Sequence, residues 1–295
     1  MTSPRPGGTV KLGQHEIARI GYGAMQLEHV DTAAATAVLR RAVELGVNHL
    51  DTASFYGFTT VNKHIRDALH PYPADLVIVS KVGARRVDTP MRLALAQRPE
   101  DLRAQVHLDL TSLGLDRIPV VNLRRADQGP GLIAEGDQIV PLDDQLAELI
   151  ALRNEGLIGA IGLSNMSTAQ LRQALPAGIV CVQNAYSVLD RSSERQLELC
   201  AENGIAWIPY FPLGSAFDQI PSPTDHPVVQ QLATRLDTTP AAVCLAWILA
   251  HNDHTALIPG TRTVAHLEQN LRTADIHLDT EALAELDNLT NPSRA

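Results

Sequence analysis

The stretch TAAATAVLRRAVELGVNHLDT, residues 32–52, contains the structural unit that the rest of the chain repeats. Between residues 32 and 45, apolar side chains recur with the period of an amphipathic helix, at Val38, Leu39, Ala42 and Val43. Gly46 follows, and glycine readily adopts the left-handed conformation in which helices commonly end. Residues 47–52 then form a short apolar run that is typical of a buried strand. The stretch therefore predicts a helix, a glycine turn and a strand in succession.

The same unit recurs along nearly the whole chain. The pattern over residues 142–153 is also that of an amphipathic helix, and Gly114, Gly156 and Gly204 each stand at or just before an apolar run. Eight such runs are expected to form strands: residues 18–24, 47–52, 75–81, 117–123, 157–164, 178–183, 204–210 and 255–260. Strands that are apolar on both faces and alternate with helices predict a parallel sheet covered by helices.

The length of 295 residues fits either two ordinary domains or one large α/β barrel, which has about 250 residues. No stretch rich in Pro, Gly and Ser divides the chain. We therefore predict a single domain over residues 1–295, an α/β fold of the (β/α)8 TIM barrel type. Alternating residues 8–20, centred on Gly13 and Gln14, predict a short N-terminal β-hairpin at the barrel floor.

A doubly wound sheet is the alternative fold, because GYGAMQ (21–26) superficially resembles a dinucleotide-binding fingerprint. The third glycine of that fingerprint is absent, no helix is expected directly after it, and no acidic residue has a suitable spacing on a second strand. The barrel is therefore favoured.

The composition limits the classes of partner. With 45% hydrophobic and 19% charged residues, the chain is expected to be a soluble globular protein, and its net charge of -9 disfavours binding to nucleic acid or an anionic membrane.

The N-terminus has no apolar leader and no apolar run reaches about 18 residues, so a cytoplasmic location is expected. The spacing of cysteines and histidines predicts neither a disulfide framework nor a metal site. We expect a monomer or a weak oligomer.

Polar residues at adjacent strand ends suggest an acid catalyst. Asp51 and Tyr56 follow the second predicted strand, and Lys81 ends the third. A phenol with a pKa of about 10 is a poor proton donor, but a close ammonium group lowers that pKa and a carboxylate can hold the ammonium group in place. This trio predicts Tyr56 as a general acid. The alternative is a structural ion pair of Asp51 and Lys81, with Tyr56 packed on a loop.

The fourth predicted strand contributes two further candidates, Asn122 and Arg124, which lie on one face of the strand. Either side chain could donate a hydrogen bond to a reacting oxygen. Arginine is permanently charged, so Arg124 could stabilise an oxyanion or bind an anionic substrate group. The alternative is an arginine that turns towards solvent.

Seven motifs, in order and along almost the full chain, resemble those of the aldo-keto reductases. They are GYGAMQ (21–26), DTASFYG (51–57), VSKV (79–82), IGLSN (161–165), VQ (182–183), YFPLG (210–214) and IPGT (258–261) with the segment through Asn270. The resemblance implies an NADPH-dependent barrel that reduces aldehydes and ketones. It implies that Tyr56 protonates the carbonyl oxygen as hydride arrives from the nicotinamide, with Asp51 and Lys81 tuning the phenol. Arg124 stands where the family normally has a histidine that orients the carbonyl.

The resemblance also implies a set of residues that bind NADPH. Ser164, Asn165 and Gln183 would contact the carboxamide, Tyr210 would stack on the nicotinamide ring, and residues 213–215 would lie along the pyrophosphate. The full implied set is Gly23, Ala24, Met25, Asp51, Ser164, Asn165, Gln183, Tyr210, Phe211, Pro212, Leu213, Gly214, Ser215, Pro259, Gly260, Thr261, Arg262, His266, Glu268 and Asn270.

The expected site for the adenosine 2′-phosphate departs from the family pattern. A helix N-terminus after residue 262 would favour an anion, and Arg262 could add a charge-assisted contact. The usual lysine-serine pair and downstream arginine are replaced by Gly260, Thr261 and His266. NADPH is still expected, with weaker discrimination against NADH.

Within the family, the chain resembles the bacterial pyridoxal reductase-like branch. The residues that support this are 122–124 (NLR), 81–86 (KVGARR), 180–183 (VCVQ) and 261–270. The branch implies reduction of pyridoxal to pyridoxine as one activity. A catalytically weak or inactive NADP(H)-binding regulatory barrel is the alternative, because the usual histidine is missing.

The aromatic residues suggest where a substrate would bind. Eight of the eleven lie at or just beyond predicted C-terminal strand ends: Tyr22, Phe55, Tyr56, Phe58, Tyr186, Tyr210, Phe211 and Phe217. We expect these rings to stack on the nicotinamide and to line an apolar substrate pocket at the barrel rim.

Overall fold

The computed structural model describes residues 4–88, 92–129, 131–214 and 222–289. Its strands are β1 (Thr9–Leu12), β2 (His15–Ala18), β3 (Tyr22–Gly23), β4 (His49–Asp51), β5 (Val77–Val82), β6 (Ala84–Arg86), β7 (Leu93–Leu95), β8 (Ile118–Arg124), β9 (Ile158–Ser164), β10 (Ile179–Gln183) and β11 (Ala206–Trp207). The helices are α1 (Thr32–Glu44), α2 (Thr60–Leu69), α3 (Pro99–Leu113), α4 (Leu142–Asn154), α5 (Thr168–Ala174), α6 (Glu194–Glu202), α7 (Pro227–Arg235), α8 (Pro240–His251), α9 (Val264–Leu271) and α10 (Thr280–Asp287). Short 3-10 helices cover Ala24–His29, Gly136–Gln138, Leu175–Ala177, Pro223–Asp225 and Arg272–Asp275.

Seven parallel strands form one curved sheet in the order β3-β4-β5-β8-β9-β10-β11. The segment at 255–257 closes this sheet into a barrel. On one side Ala256 N donates to Trp207 O at 2.9 Å, and on the other Leu257 N donates to Arg19 O at 2.7 Å. The predicted eight-stranded barrel is confirmed, and the closed sheet rules out the doubly wound alternative. The eighth segment makes only isolated bridges, and Pro259 has no N–H with which to extend its pairing.

Helix α1 shows how the repeated unit folds. The Asp31 side chain caps the helix by accepting a hydrogen bond from Ala34 N at 2.8 Å. The predicted apolar stripe buries Val38, Leu39 and Ala42 against the barrel. Gly46 then has a φ of 90°, and a Cβ there would lie 2.3 Å from the carbonyl oxygen of Pro4. Glycine at this turn therefore allows the chain to pass directly from α1 to β4.

The predicted N-terminal hairpin is confirmed as the antiparallel pair β1 and β2. Its apolar residues Val10, Leu12 and Ile17 are buried against the inward-facing side chains of the barrel strands, among them Val79 and Val120. The hairpin therefore fills the floor of the barrel.

Two expectations from the sequence are wrong, and one element was not predicted. A 3-10 helix, Ala24–His29, does follow β3. Residues 82–98 contain a hairpin, β6 with β7, that periodicity did not reveal. Tyr22 and Tyr186 are buried in the core instead of lying at the rim, because their rings fill space between the barrel and its helices. The Tyr186 ring stacks on Trp247 with the centroids 5.8 Å apart. Phe217 lies outside the described residues.

None of the helices in the described part of the chain combines the length and the apolar character that a membrane crossing requires.

Candidate active site

Asp51, Lys81 and Tyr56 meet at the C-terminal end of the barrel. Asp51 ends β4, Lys81 lies in β5, and Tyr56 lies in the loop that joins β4 to α2. The ammonium group of Lys81 donates to the Asp51 carboxylate, and it donates to the Tyr56 hydroxyl at 3.1 Å. It also donates to Thr52 O at 3.3 Å. Because the Tyr56 oxygen accepts from Lys81, the phenolic proton is directed elsewhere and is available to another acceptor.

Burial governs the protonation states of the trio. Burial of the phenol raises the pKa of Tyr56, and the neighbouring Lys81 ammonium only partly offsets this. The expectation of a lowered pKa is therefore wrong in net direction, although the effect of Lys81 has the expected sign. Burial lowers the pKa of Lys81, but Asp51 and Tyr56 more than compensate and raise it. At neutral pH the site accordingly holds a neutral phenol beside a charged ammonium group.

Gln183 joins this group from the other side of the barrel. Its Nε2 atom donates to Asp51 Oδ2 at 2.7 Å, so the carboxylate is held between an ammonium group and an amide. The Gln183 Oε1 atom is buried and has no hydrogen-bond partner among the described residues. Gln183 therefore fixes Asp51 and also offers an unused acceptor at the centre of the site.

Arg124 and Asn122 occupy different depths of the barrel. The Arg124 guanidinium is largely buried and lies close enough to the phenols of Tyr56 and Tyr210 for their charges to interact. Burial lowers the pKa of Arg124, and its Nη1 atom has no hydrogen-bond partner in the described part of the chain. Asn122 lies deeper, where its Oδ1 accepts from the Cys181 thiol at 3.1 Å. Arg124 therefore lies within electrostatic range of the Tyr56 phenol, whereas Asn122 packs inside the barrel.

Ser164 ends β9, Asn165 directly follows it, and Tyr210 lies just beyond β11, two strands away in the sheet. Ser164 is buried and is in register with both Arg124 and Gln183. Asn165 Nδ2 donates to the carbonyl oxygens of Arg125 at 3.1 Å and Gln128 at 2.8 Å, while Asn165 Oδ1 accepts from the Tyr210 hydroxyl at 3.3 Å. These contacts hold the half-buried Tyr210 ring in one place, edge-on to Phe211 with the centroids 5.0 Å apart.

A turn and a 3-10 helix contain further members of the predicted cofactor-binding set. Phe211 has a φ of 56°, and the turn closes with a hydrogen bond from Gly214 N to Phe211 O at 3.1 Å around Pro212 and Leu213. Ser215 lies outside the described residues. On the opposite side, Ala24 is buried at the start of its 3-10 helix, and the adjoining Met25 is 43% exposed.

The segment before α9 packs tightly against β3. A Cβ on Gly23 would lie 2.4 Å from Ile258 O, and one on Gly260 would lie 2.8 Å from Gly23 O. The Tyr22 hydroxyl donates to Thr261 O at 2.5 Å. Glycine at both positions therefore lets Pro259 and its neighbours approach the backbone of β3.

The remaining residues of the predicted cofactor-binding set lie in or beside helix α9 and point to different sides of it. Thr263 caps the helix by accepting from His266 N at 3.3 Å, and Arg262 and His266 are exposed beside this N-terminus. Asn270 lines a cavity of about 370 Å³ together with Gln269, which the sequence analysis missed. Glu268 instead forms an ion pair with Arg41 at 2.8 Å. Glu268 therefore lies against α1, whereas Asn270 lies in the cavity wall, so the two predicted residues do not share one site.

Comparison with known proteins identifies the class to which this arrangement belongs. The sequence profile described as "Aldo/keto reductase family" matches residues 19–291. The chain belongs to the aldo/keto reductase family. This family uses NADP(H), so its membership confirms the predicted oxidoreductase class and cofactor type. No group of His, Cys, Asp or Glu side chains that could hold a metal ion occurs among the described residues of this aldo/keto reductase.

Two curated relatives and one solved structure illustrate the likeness. Pyridoxine 4-dehydrogenase of Escherichia coli K12 is 41% identical over 291 residues, which cover 96% of this chain and 98% of that protein. An uncharacterised oxidoreductase of Schizosaccharomyces pombe is 34% identical, covering 95% and 89%. The structure of an aldo-keto reductase from Klebsiella pneumoniae in complex with NADPH is similar in fold, with a TM-score of 0.79, 24% identity and coverage of 99% and 96%.

A buried carboxyl group in this aldo/keto reductase was missed by the sequence analysis. Asp109, on α3, is 0% exposed, and burial raises its pKa from 3.8 to about 7. Its oxygens accept hydrogen bonds from Ser80 Oγ at 2.7 Å and from Asn62 Nδ2 at 2.7 Å. An aspartate in the middle of an amphipathic helix gives no sequence signal of burial, which is why it was overlooked.

Asp109 is expected to make the stability of the fold depend on pH. Because its pKa is higher in the folded protein than in the unfolded chain, its contribution is most favourable below about pH 4 and is lost as the pH rises through about 7. The shift corresponds to about 4 kcal/mol at about 1.4 kcal/mol per pKa unit. Urea unfolding of the wild type and of Asp109→Asn at about pH 5 and about pH 8 measures this effect. The wild type should lose stability relative to the variant at the higher pH, and an equal difference at both values would contradict the assignment.

Proposed function

We propose that this protein reduces an aldehyde or ketone to an alcohol, with NADPH as hydride donor and Tyr56 as general acid. The observation that carries the proposal is the hydrogen-bonded chain Asp51–Lys81–Tyr56, which ends on a phenol whose own proton is free to be donated. Pyridoxal is the first substrate to test, because the chain resembles pyridoxine 4-dehydrogenase over 96% of its length and that enzyme's name describes oxidation of the corresponding alcohol.

The free polar atoms of the site fit a nicotinamide. The buried Oε1 atom of Gln183 can accept from a carboxamide NH2, and buried Ser164 lies in register beside it. The Tyr210 ring, fixed by its hydrogen bond to Asn165, offers a flat surface for stacking. When bound, the nicotinamide supplies a hydride to the carbonyl carbon.

Residues of the chain itself supply the proton that the carbonyl oxygen receives. Tyr56 donates its phenolic proton to the carbonyl oxygen of the substrate and becomes a phenolate. Lys81, already hydrogen-bonded to that oxygen, stabilises the negative charge as it forms. Asp51 and Gln183 keep the ammonium group in position. In the direction of alcohol oxidation the phenolate takes the proton back.

Arg124 replaces the family's histidine as a second donor towards the carbonyl oxygen. Its guanidinium is largely buried, has an unused N–H at Nη1 and lies near the Tyr56 phenol. A permanent positive charge in a low-dielectric site stabilises the developing oxyanion more strongly than the same charge would in water. Asn122 does not share this role in the proposal, since it contacts Cys181 deeper in the barrel.

The Arg124→Met variant is expected to lower kcat/KM for neutral and anionic aldehydes alike, by about 100-fold, because one oxyanion donor is lost. Arg85→Met, which removes the same charge from an exposed position on β6, serves as the control and should leave the rate unchanged. Steady-state kinetics with a neutral aromatic aldehyde and with its carboxylated analogue measures both. A loss confined to the carboxylated substrate would instead assign Arg124 to anchoring of anions.

The adenosine 2′-phosphate would lie at the N-terminus of α9. Backbone N–H groups of the first turn and the exposed Arg262 provide positive potential there, and Thr261 lies just before it, whereas Asn270 lies near the opposite end of the helix. Glu268 is left out of the proposed set because it pairs with Arg41. Steady-state kinetics with NADPH and with NADH tests this assignment, and equal kcat/KM for the two cofactors would contradict it.

The proposed activity is tested with purified protein, NADPH and a panel of aldehydes that includes pyridoxal. NADPH absorbance should fall in the presence of at least one aldehyde and should remain constant without substrate. If the absorbance stayed constant with every aldehyde while fluorescence titration still showed NADPH binding, a regulatory nucleotide-binding barrel would be the correct interpretation.

A further inference from the structure

A fully buried polar cluster lies directly behind the catalytic trio, between the barrel and the helices α2 and α3. Its centre is the carboxyl group of Asp109. Ser80 and Asn62 donate to its two oxygens at 2.7 Å each, and the Ser54 hydroxyl is a third donor. We call these residues, with Thr52, the Asp109 cluster. This one carboxyl group thus accepts hydrogen bonds from β5, from α2 and from the loop between β4 and α2.

Each partner of Asp109 adjoins a member of the trio. Ser80 directly precedes Lys81 in β5, and since successive side chains of a strand point to opposite faces, Ser80 points to the helices while Lys81 points into the barrel. Ser54 lies two residues before Tyr56 in the same loop. The backbone segments of Lys81 and Tyr56 are therefore both attached to Asp109.

The third connection runs through Asn62. Its Oδ1 atom accepts from the Thr52 hydroxyl at 2.7 Å, while its Nδ2 atom donates to Asp109. Thr52 directly follows Asp51, and its carbonyl oxygen accepts from the Lys81 ammonium group at 3.3 Å. The segment of Asp51 is therefore attached to Asp109 as well.

These contacts require two acceptor oxygens, which a carboxylate supplies and an amide does not. Three donors converge on two oxygens, and an apolar residue of the same volume would leave buried polar groups without partners. The Lys81 ammonium group also attracts a negative charge on Asp109 and so partly offsets the effect of burial on the pKa of Asp109. The burial of a carboxyl group is costly, so its presence here is not explained by packing alone.

We propose that Asp109 is a positioning residue for the reduction, which holds the three backbone segments so that Lys81 and Tyr56 keep the separation that proton transfer requires. The proposal rests on the proposed function of Tyr56. Among the described residues, the hydrogen-bond partners of the Asp109 carboxyl group are Ser54, Ser80 and Asn62, so it acts on the trio through them. A small displacement of Tyr56 from Lys81 or from the substrate is enough to slow the reaction strongly.

The test compares Asp109→Asn with Ser112→Ala. Ser112 lies on the same helix and accepts from Asn62 at 2.9 Å, but it contacts none of the segments that bear the trio. In Asp109→Asn the amide places an NH2 group where an acceptor is needed, and the single-turnover rate of NADPH consumption with saturating aldehyde should fall about 10- to 100-fold. NADPH affinity should stay within about twofold, and Ser112→Ala should keep the wild-type rate.

A second measurement does not depend on activity. Crystal structures of both variants report the separation of Lys81 Nζ and Tyr56 Oη, which is 3.1 Å in the wild type. The separation should lengthen in Asp109→Asn and stay the same in Ser112→Ala. If Asp109→Asn does not fold, Ser54→Ala and Ser80→Ala, which each remove one donor, should both lower the single-turnover rate.

The outcomes separate this proposal from the proposed function. A wild-type protein that consumes no NADPH with any aldehyde contradicts the proposed function. An active wild type together with unchanged single-turnover rates and an unchanged Lys81–Tyr56 separation in the variants overturns the positioning role of Asp109 and leaves the proposed function intact.

Discussion

Replacement of Tyr56 with phenylalanine is expected to lower kcat for aldehyde reduction by about 100- to 10,000-fold, the contribution that a positioned general acid makes. The ring and its contacts with Phe55 remain, but the hydroxyl that accepts from Lys81 and donates to the substrate is lost. Affinity for NADPH should stay nearly unchanged, because the hydroxyl acts on the substrate. Steady-state kinetics gives kcat, and fluorescence titration gives the Kd of NADPH.

Tyr72→Phe is the matched control for this experiment. The Tyr72 hydroxyl donates to Leu113 O at 2.6 Å, away from the catalytic trio, so its loss removes a comparable hydrogen bond without touching the site. The control should keep the wild-type kcat. Wild-type turnover in Tyr56→Phe would remove Tyr56 from the mechanism.

Replacement of Lys81 with methionine is expected to abolish most activity and to destabilise the fold by about 3–5 kcal/mol. The Asp51 carboxylate, 3% exposed, would lose its counter-ion and keep only the hydrogen bond from Gln183. The Tyr56 phenolate would lose the ammonium group that stabilises it. Urea unfolding gives the free-energy change, and kinetics at a temperature where the variant is folded gives the loss of turnover.

Two further variants separate the electrostatic effect from a general loss of packing. Lys63→Met removes an exposed lysine from α2 and should change neither property. The double variant Asp51→Asn with Lys81→Met removes both buried charges, so it should recover much of the stability and remain inactive. A double variant as unstable as Lys81→Met alone would contradict the role of the ion pair.

The barrel could be predicted from the sequence because its central strands are apolar on both faces. This apolar character extends over most of the predicted strands at residues 75–81 and 157–164. The observed strands β5 and β9 agree with these predictions within a few residues. The closing segment at 255–257 was also predicted, although it forms only isolated bridges. The β6–β7 hairpin was missed because its three-residue strands are too short to show a period.

The site was only partly predictable, for a physical reason. Asp51, Tyr56 and Lys81 stand at the ends of neighbouring strands, so their order in the sequence already places them side by side. The hydrogen bond from Gln183 to Asp51 crosses the barrel between strands that are not neighbours, and no local pattern reveals it. The net pKa of Tyr56 depends on how much burial opposes Lys81, which the sequence does not report.

The burial of Asp109 and Tyr186 depends in the same way on tertiary structure. Asp109 looks like a solvent-exposed helix residue in the sequence, but three donors from other elements surround it. Tyr186 follows a strand end, where a rim position was expected, but its hydroxyl reaches Glu194 at 2.6 Å and its ring fills the core beside Trp247. Both positions are fixed by contacts between residues that are distant in sequence or separated by a turn.

Transfer of deuterium from NADPH to pyridoxal tests the central claim most directly. The protein would be incubated with pyridoxal and with NADPH that carries deuterium at both hydrogen positions of the nicotinamide C4, and the product would be examined by mass spectrometry. The account predicts pyridoxine with a single deuterium on the carbon that was the aldehyde, formed by the wild type and almost absent with Tyr56→Phe. Absence of any alcohol product from pyridoxal and from the other aldehydes, with NADPH bound but unconsumed, would contradict it.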